Sequence, residues 1–382
     1  KKSFITSVVI LLLVIPFLSN GQIQTFDLSQ YKLPELGRHQ LDFSLHSNNQ
    51  YQRVYDEYLQ IPDTYSDETS KHLYSSNNIN TRYLGYYNRM HYQGTHDLYL
   101  DLGGGYNKYK DGITRISQSL NAQFFGHSIN RFYFQNQFFL ETDLYIDRMS
   151  TGYNLNKQKN LPTQDLRKLT KTRSMDVTIP VLAGKGRIDQ VQDARMAVYI
   201  LEALNKKGKL KHQPTHEEIL EFARAISKIE NELFFDFRNE KIYELTMLDS
   251  FLQAHDLVKE EDITYYTSIN DYWQYAHNPI RESGKRISAG IMPRYYHYYL
   301  FSEMENQGSL NKLTSKTYQT EIKALLRYDC ERPINLQWQS SLNTELAFGK
   351  IFYKEELVID NIIEKFDPLE LSARVNYQLG WY

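Results

Sequence analysis

The chain has 382 residues and a formal net charge of −2, which offers no global field for nucleic acid or anionic lipid. Aromatic residues make up 14%, with 31 Tyr, on a background whose mean hydropathy is polar. A soluble enzyme buries mostly aliphatic side chains, so this pairing suits a barrel with a wet lumen and Tyr and Trp at its rims.

Lys1 and Lys2 form a basic start, Val8 to Phe17 an apolar stretch, and Ser19-Asn20-Gly21 a small and polar cleavage region before Gln22. Residues 1–21 are therefore expected to be a secretory signal peptide, since roughly ten apolar residues are too few to span a bilayer. No Cys follows the apolar stretch directly, which excludes lipoprotein acylation, and Cys330 has no second cysteine to pair with. No later run approaches the ~18 apolar residues of a spanning helix. The chain starts without an initiator Met, so a trimmed sequence is expected.

Long segments then alternate with a period of two, as a strand between hydrocarbon and a polar lumen must. After a first strand around Leu41 to Leu45, a long polar outer loop is expected over Asn48 to Asn80, and a second strand over Arg82 to Tyr92 ends at Gly94-Thr95. In Leu98 to Tyr106, Leu98, Leu100, Leu102, Gly104 and Tyr106 share one face and Tyr99, Asp101, Gly103 and Gly105 the other. A turn at Asp111-Gly112 leads to Arg115–Phe124, whose apolar face of Ile116, Leu120, Ala122 and Phe124 is broken by Gln118; a turn follows at His127 to Asn130. In the fifth strand Phe134, Phe138, Leu140, Leu144 and Ile146 oppose Glu141 and Asp143, before an outer loop holding Gly152, Asn154, Asn156 and Pro162. Met175, Val177, Ile179 and Val181 mark the sixth strand, which closes residues 22–183 as the first half of the barrel.

Residues 184–283 change period and are expected to form a periplasmic helical insertion or plug, opening at Gly184-Lys185-Gly186. Ile188, Val191, Ala194, Val198, Leu201 and Leu204 recur at helical spacing up to Gly208. Thr215 with Glu218 reads as a capping box, ahead of a buried face of Phe222, Ala223, Ile226 and Ile229. Tyr243, Leu245, Leu248 and Leu252 imply a third helix and Asp262 to Tyr275 a fourth.

Residues 284–382 return to alternation as the second half of the barrel, with an outer loop at Gly308 and Asn311 and a turn at Glu331-Arg332-Pro333. The predicted fold is mainly β: a transmembrane antiparallel β-barrel of roughly ten to twelve strands with an α-helical insertion. Tyr382 falls out of phase with the apolar face that ends on Trp381, so further hairpins are expected if the chain is truncated.

Asp97, Asp101, Arg115, Glu141, Asp143, Glu321, Lys323 and Arg327 are expected to line the lumen as an ion-pair network, either as a structural polar core or as a charge-selecting constriction. Tyr295, Tyr296, Tyr298, Tyr299, Trp338 and Trp381 are expected to form an interfacial aromatic girdle. No GxSxG, HExxH, P-loop or CxxC pattern occurs, and neither a catalytic residue, a metal ligand nor a cofactor site is assigned. Gly103-Gly104-Gly105 lies inside a strand, where it permits curvature rather than cradling a phosphate.

The signal ending in Asn20-Gly21-Gln22, the Tyr-rich strands and the polar outer loops resemble outer-membrane barrel proteins of the Bacteroidota, and Gly184 to Leu204 (GKGRIDQVQDARMAVYILEAL) looks like a family signature. The resemblance implies an outer-membrane location and a barrel, and carries over no functional residue. Expected partners are outer-membrane lipid and a periplasmic protein reached through residues 184–283, with no nucleic acid. The expected role is transport or assembly at the cell surface without catalysis. A structural or adhesive protein that binds through its outer loops is the alternative, and an outer-membrane hydrolase the third.

Overall fold

The computed structural model describes residues 26–60, 64–111, 113–160, 164–232, 237–276, 280–306, 309–357 and 362–381. The expected signal peptide and Tyr382 lie outside the described residues. A short 3-10 turn at Leu28–Gln30 precedes β1 (Leu36–Gln60), β2 (Thr64–Arg89), β3 (Tyr92–Asp111), β4 (Ile113–Tyr133), β5 (Phe138–Asn160), β6 (Gln164–Thr178) and β7 (Val181–Gln190). The helices α1 (Gln192–Lys206), α2 (His216–Glu230), α3 (Phe237–Ala254) and α4 (Ile263–Ala276) follow. The sheet then resumes with β8 (Glu282–Asn306), β9 (Ser309–Pro333), β10 (Trp338–Leu357), β11 (Ile362–Phe366) and β12 (Leu369–Trp381).

All twelve strands join one barrel-like antiparallel sheet, in the order β1-β2-β3-β4-β5-β6-β8-β9-β10-β11. β7 pairs with β5 and β8 below β6, and β12 pairs with β10 below β11. Each of these two couples is one strand position interrupted at a proline, Pro180 or Pro368, which cannot donate to a ladder. The chain therefore fills ten positions, within the ten to twelve strands that alternation predicted. β1 and β12 are the edges of the sheet, with no pairing between them among the described residues.

The described parts of the expected outer loops are strands instead; Gly112, Pro162 and Gly308 lie outside the described residues. Asn48 to Asn80 is an extended hairpin in which Asn48 lies opposite Ser76 and Val54 opposite Ser70. Gly152, Asn154 and Asn156 lie within β5, paired to both β4 and β6, and Asn311 pairs with Met304 in the β8–β9 ladder. Polar residues interrupt Tyr51, Tyr55, Leu73 and Ile79 on the outward side of Asn48 to Asn80, so no continuous apolar face announces a strand there. The expected turns at Gly94-Thr95 and His127–Asn130 are also strand, the chain reversing earlier, at Met90-His91, in the first case and later, after Tyr133, in the second.

Gly184-Lys185-Gly186 does not open a helix either: β7 runs on to Gln190 against β8. Gly186 and Gly284 hold φ of +111° and +136°, and a Cβ on either would lie 2.1 Å from the carbonyl oxygen of Lys285 or Arg187. Two backbones approach so closely there that only glycine fits.

The two faces of the sheet have inverted polarity. Leu41, Phe43, Leu100, Phe138, Leu140, Ile287, Ile291, Leu346, Leu371 and Val375 point outward and are exposed, whereas Glu141, Asp143, Glu321 and Lys323 point inward and are buried. On β12 the outward face is Leu369, Leu371, Ala373, Val375, Tyr377, Leu379 and Trp381, over a strand of 13 residues. At ~3.3 Å rise and ~45° tilt such a strand stands roughly 30 Å tall, the thickness of a bilayer core. Above this band the outward face of β1 and β2 becomes a polar ladder, Ser47 donating to Asn77 at 2.7 Å and Ser75 to Asn49 at 2.6 Å.

The helices bury their apolar stripes against one another and against the N-terminal segment, with Met196, Leu201, Phe222, Ile226, Leu248, Ile269, Phe26, Leu28 and Tyr31 in one core. Thr215 and Glu218 form the capping box that opens α2, and Gly208 follows α1 at a φ of +68°. This bundle hangs from the end of the sheet where β7 stops and β8 starts. Val191 N–H donates to the Arg281 carbonyl at 2.8 Å across its base.

Candidate functional site: a charged lumen

The inward residues of neighbouring strands stack into ladders because strand side chains alternate. In the middle of the lumen, Arg327 on β9 contacts Glu141 at 3.0 Å and Asp143 at 3.6 Å, both on β5, and Glu345 on β10 at 3.5 Å. Arg131 on β4 holds the second oxygen of Glu141. Asp143 also accepts from His127 at 2.9 Å. A second chain of charge runs over β6, β8, β9 and β12. Asp176 is bound by Arg294 at 2.6 and 2.8 Å, Arg294 reaches Glu321 at 2.8 Å, and Lys323 bridges Glu321 at 2.6 Å and Glu370 at 3.0 Å.

Nearby the inward face is apolar and full. Leu182, Leu325 and Ala347 are buried together against Met292. Gly349 leaves room for this crowding, since a Cβ there would lie 2.5 Å from the Lys323 Cα. Towards the helices the mouth is crossed by a polar cluster. Arg187 on β7 donates to Asn88 Oδ1 at 2.7 Å and to the carbonyls of Arg89 and Met90. Gln93 on β3 donates to Asp189 at 3.1 Å and accepts from Tyr133 at 2.7 Å. Fully buried Arg281 ties the bundle to the β9–β10 turn, donating to the carbonyls of Asn335, Leu336 and Trp338 at 2.7–2.9 Å. Arg38 on β1 bonds Asn231 at the end of α2.

The lumen is roomier between β2 and β5. A cavity of about 390 Å³ is lined there by Arg82, Asp97, Tyr99, Phe125, His127, Tyr145 and Asp147, among others. Arg82 grips Asp97 through two hydrogen bonds of 2.9 and 2.7 Å. A β-bulge shapes the opposite wall. The β4–β5 ladder pairs Phe124 with Met149 and Gly126 with Ile146, so Asp147 and Arg148 on β5 face Phe125 alone.

Of the sequence-predicted lumen residues, Glu141, Asp143 and Arg327 meet, Glu321 and Lys323 meet, and Asp97 pairs with Arg82. Asp101 stays apart, with one carboxylate oxygen lacking a hydrogen-bond partner. Arg115 lies near the hairpin tip, over the Tyr109 ring at 5.8 Å. Arg82, Arg131, Asp176, Arg294 and Glu370 belong to the network and were not singled out. Each sits at inward parity next to a named residue, and register, which sequence does not give, decides the pairing. Trp338 lies opposite Trp381 on the outward face. The Tyr295–Tyr299 run divides: Tyr295 and Tyr299 share the outward face with Ile287 and Ile291, and Tyr296 and Tyr298 share the inward one with Arg294.

Among the described residues no group of three or more His, Cys, Asp or Glu is arranged to hold a metal ion, and no helix is long and apolar enough to cross a membrane. No family model matches the chain, and no curated protein matches it. Among solved structures, the crystal structure of Pseudomonas aeruginosa OccK8 (OprE) aligns over 89% of this chain and 98% of its own, at 7% identity and a TM-score of 0.10.

Proposed function

We propose that the chain is an outer-membrane β-barrel serving transport or assembly at the cell surface, with the helical module on the periplasmic side occluding the lumen. The observation that carries this reading is the inverted sheet: exposed Leu and Phe outside, buried Glu, Asp and Lys inside. In water that arrangement wastes both faces; in a bilayer it is the stable one. The two edge strands have to find pairing partners there, because lipid satisfies no N–H or C=O group.

A freely conducting pore fits poorly. The ion pairs around Glu141, the apolar contact of Leu182 with Leu325, and the bundle fixed by Arg281 fill or cover the passage in turn. A closed barrel that opens when the helical module shifts accounts for all three. The test is conductance in planar bilayers, with the full chain and with a variant in which a short Gly-Ser link replaces residues 191–281. The full chain is expected to stay closed and the variant to give discrete openings. Silence in both, with both folded, would exclude transport through the lumen.

A second reading, a surface protein that binds through its outer segments, is favoured by the paired hairpins such as Asn48–Asn80, which extend well beyond the apolar band.

A further inference from the structure

We propose that the cavity between β2 and β5 is a binding site for a compact organic cation, with Asp147 as counter-charge and Tyr99, Phe125 and Tyr145 as aromatic walls. This rests on the reading of the inward face as a barrel lumen.

The first argument is the bulge. Asp147 is the extra residue of β5 on both sides, since the β5–β6 ladder passes from Ile146–Val177 directly to Arg148–Asp176. Losing a rung in two ladders weakens the sheet, and such bulges serve to re-aim a side chain. Here the re-aimed carboxylate lines the cavity.

The second argument is charge. Arg82 is neutralised by Asp97 through a bidentate pair, and His127 is turned to Asp143 at 2.9 Å. Asp147 accepts only from the Tyr145 hydroxyl at 3.4 Å, and no Lys, Arg or His forms an ion pair with it among the described residues. Arg148 stands opposite Asp176 in the β5–β6 ladder and does not line the cavity. Among the residues that line the cavity, one negative charge is thus left over.

The third argument is the walls. The rings of Tyr99 and Phe125 lie 6.1 Å apart at 40°, and Tyr145 stands edge-on to His127 at 5.5 Å. Aromatic faces carry negative potential and attract an ammonium or guanidinium group. A volume of about 390 Å³ matches a small ligand. An anion meets the leftover carboxylate, and a neutral sugar leaves that charge uncompensated.

Calorimetric titration of the purified full chain in detergent tests the site, with butylammonium as probe and glucose and butyrate as neutral and anionic comparisons. Folding is verified by heat-modifiable migration in gels. We expect saturable binding of butylammonium alone, weakened at least tenfold in Asp147→Asn and threefold or more in Phe125→Leu. Asp101→Asn, on the same inward face of the sheet, should leave it unchanged. Absence of saturable binding by folded protein, equal binding of glucose, or full affinity in Asp147→Asn would each overturn the site. A full chain without heat-modifiable migration would overturn the barrel reading, and the site with it.

Discussion

Arg327 on β9 lies 3.0 Å from Glu141 on β5, although β7 and β8 separate their strands in the sheet. A flat sheet would hold strands three positions apart at ~14 Å, from a spacing of ~4.8 Å per strand. The contact therefore measures the curl: the inward face folds on itself until β5 and β9 meet across the lumen. The small inward residues of the strands between them, Ser288 and Gly290 on β8, leave room for this crossing.

Glu141 is the keystone of this contact, with its side chain 1% exposed between Arg131 and Arg327. Glu141→Ala would leave the half-buried guanidinium groups of Arg131 and Arg327 without their shared counter-charge, with only Arg327 retaining other carboxylates, Asp143 and Glu345. A loss of about 3–5 kcal/mol is expected, the usual result of removing one member of a buried ion pair. Arg327→Met should cost less, because Glu141 keeps Arg131. Urea titration of the folded protein followed by gel migration gives the order, and equal effects would show that the cross-lumen contact carries no special weight.

The outward face gives a test that separates a bilayer from water. Leu346 is 45% exposed, between Leu326 on β9 and Ala373 on β12. On a soluble sheet Leu346→Arg would be nearly neutral, within about ±0.5 kcal/mol. On a lipid-facing strand it should cost about 2–4 kcal/mol near the midplane. Unfolding measured in lipid vesicles is expected to show the larger loss, with Asn343→Arg, at inward parity on the same strand, showing much less.

The start of α2 yields a smaller effect. Thr215 Oγ1 accepts from Glu218 N–H at 3.3 Å, and the Glu218 carboxylate accepts from Thr215 N–H at 2.7 Å. Thr215→Ala should destabilise the bundle by about 1 kcal/mol. Proteolytic nicking within 209–216 reads the loss, and an unchanged rate would mean that packing of Phe222 and Ile226 alone holds the helix.

How much of this was legible follows from what the residues report. Alternation fixed the faces of β3, β5, β9, β10 and β12, since one side of each meets an apolar medium. Helical spacing gave the buried faces of α1 and α2 and the capping box. The long hairpins went unread because Asn48–Asn80 has no continuous apolar face, and the β7 extension because Gly186 signals a stop when it serves a close backbone approach. Within the lumen, alternation named which residues point inward but not which meet. That Arg327 finds Glu141 depends on curl and register, which no single strand encodes. The cavity was missed for the same reason, because the bulge at Asp147 is visible only once β4, β5 and β6 are aligned.

The helical module carries its own titration. Asp193 on α1 is buried, accepts from the Tyr31 hydroxyl at 2.9 Å, and faces Glu230 on α2, with Ser227 and Arg38 also near. Burial, helped by repulsion from Glu230, raises its pKa from 3.8 to about 6. The folded bundle then holds more protons than the unfolded one between about pH 4 and pH 6, so stability is highest below that window and falls as pH rises through it. The span of about two pKa units corresponds to roughly 3 kcal/mol. Asp193→Asn keeps an acceptor for Tyr31 and removes the charge, so it should flatten the profile and raise stability at neutral pH. The fluorescence of Trp273 during urea unfolding, with Trp338→Phe and Trp381→Phe in place, reports on the bundle. A profile that rises between pH 4 and 6, or one unchanged in Asp193→Asn, would contradict this assignment.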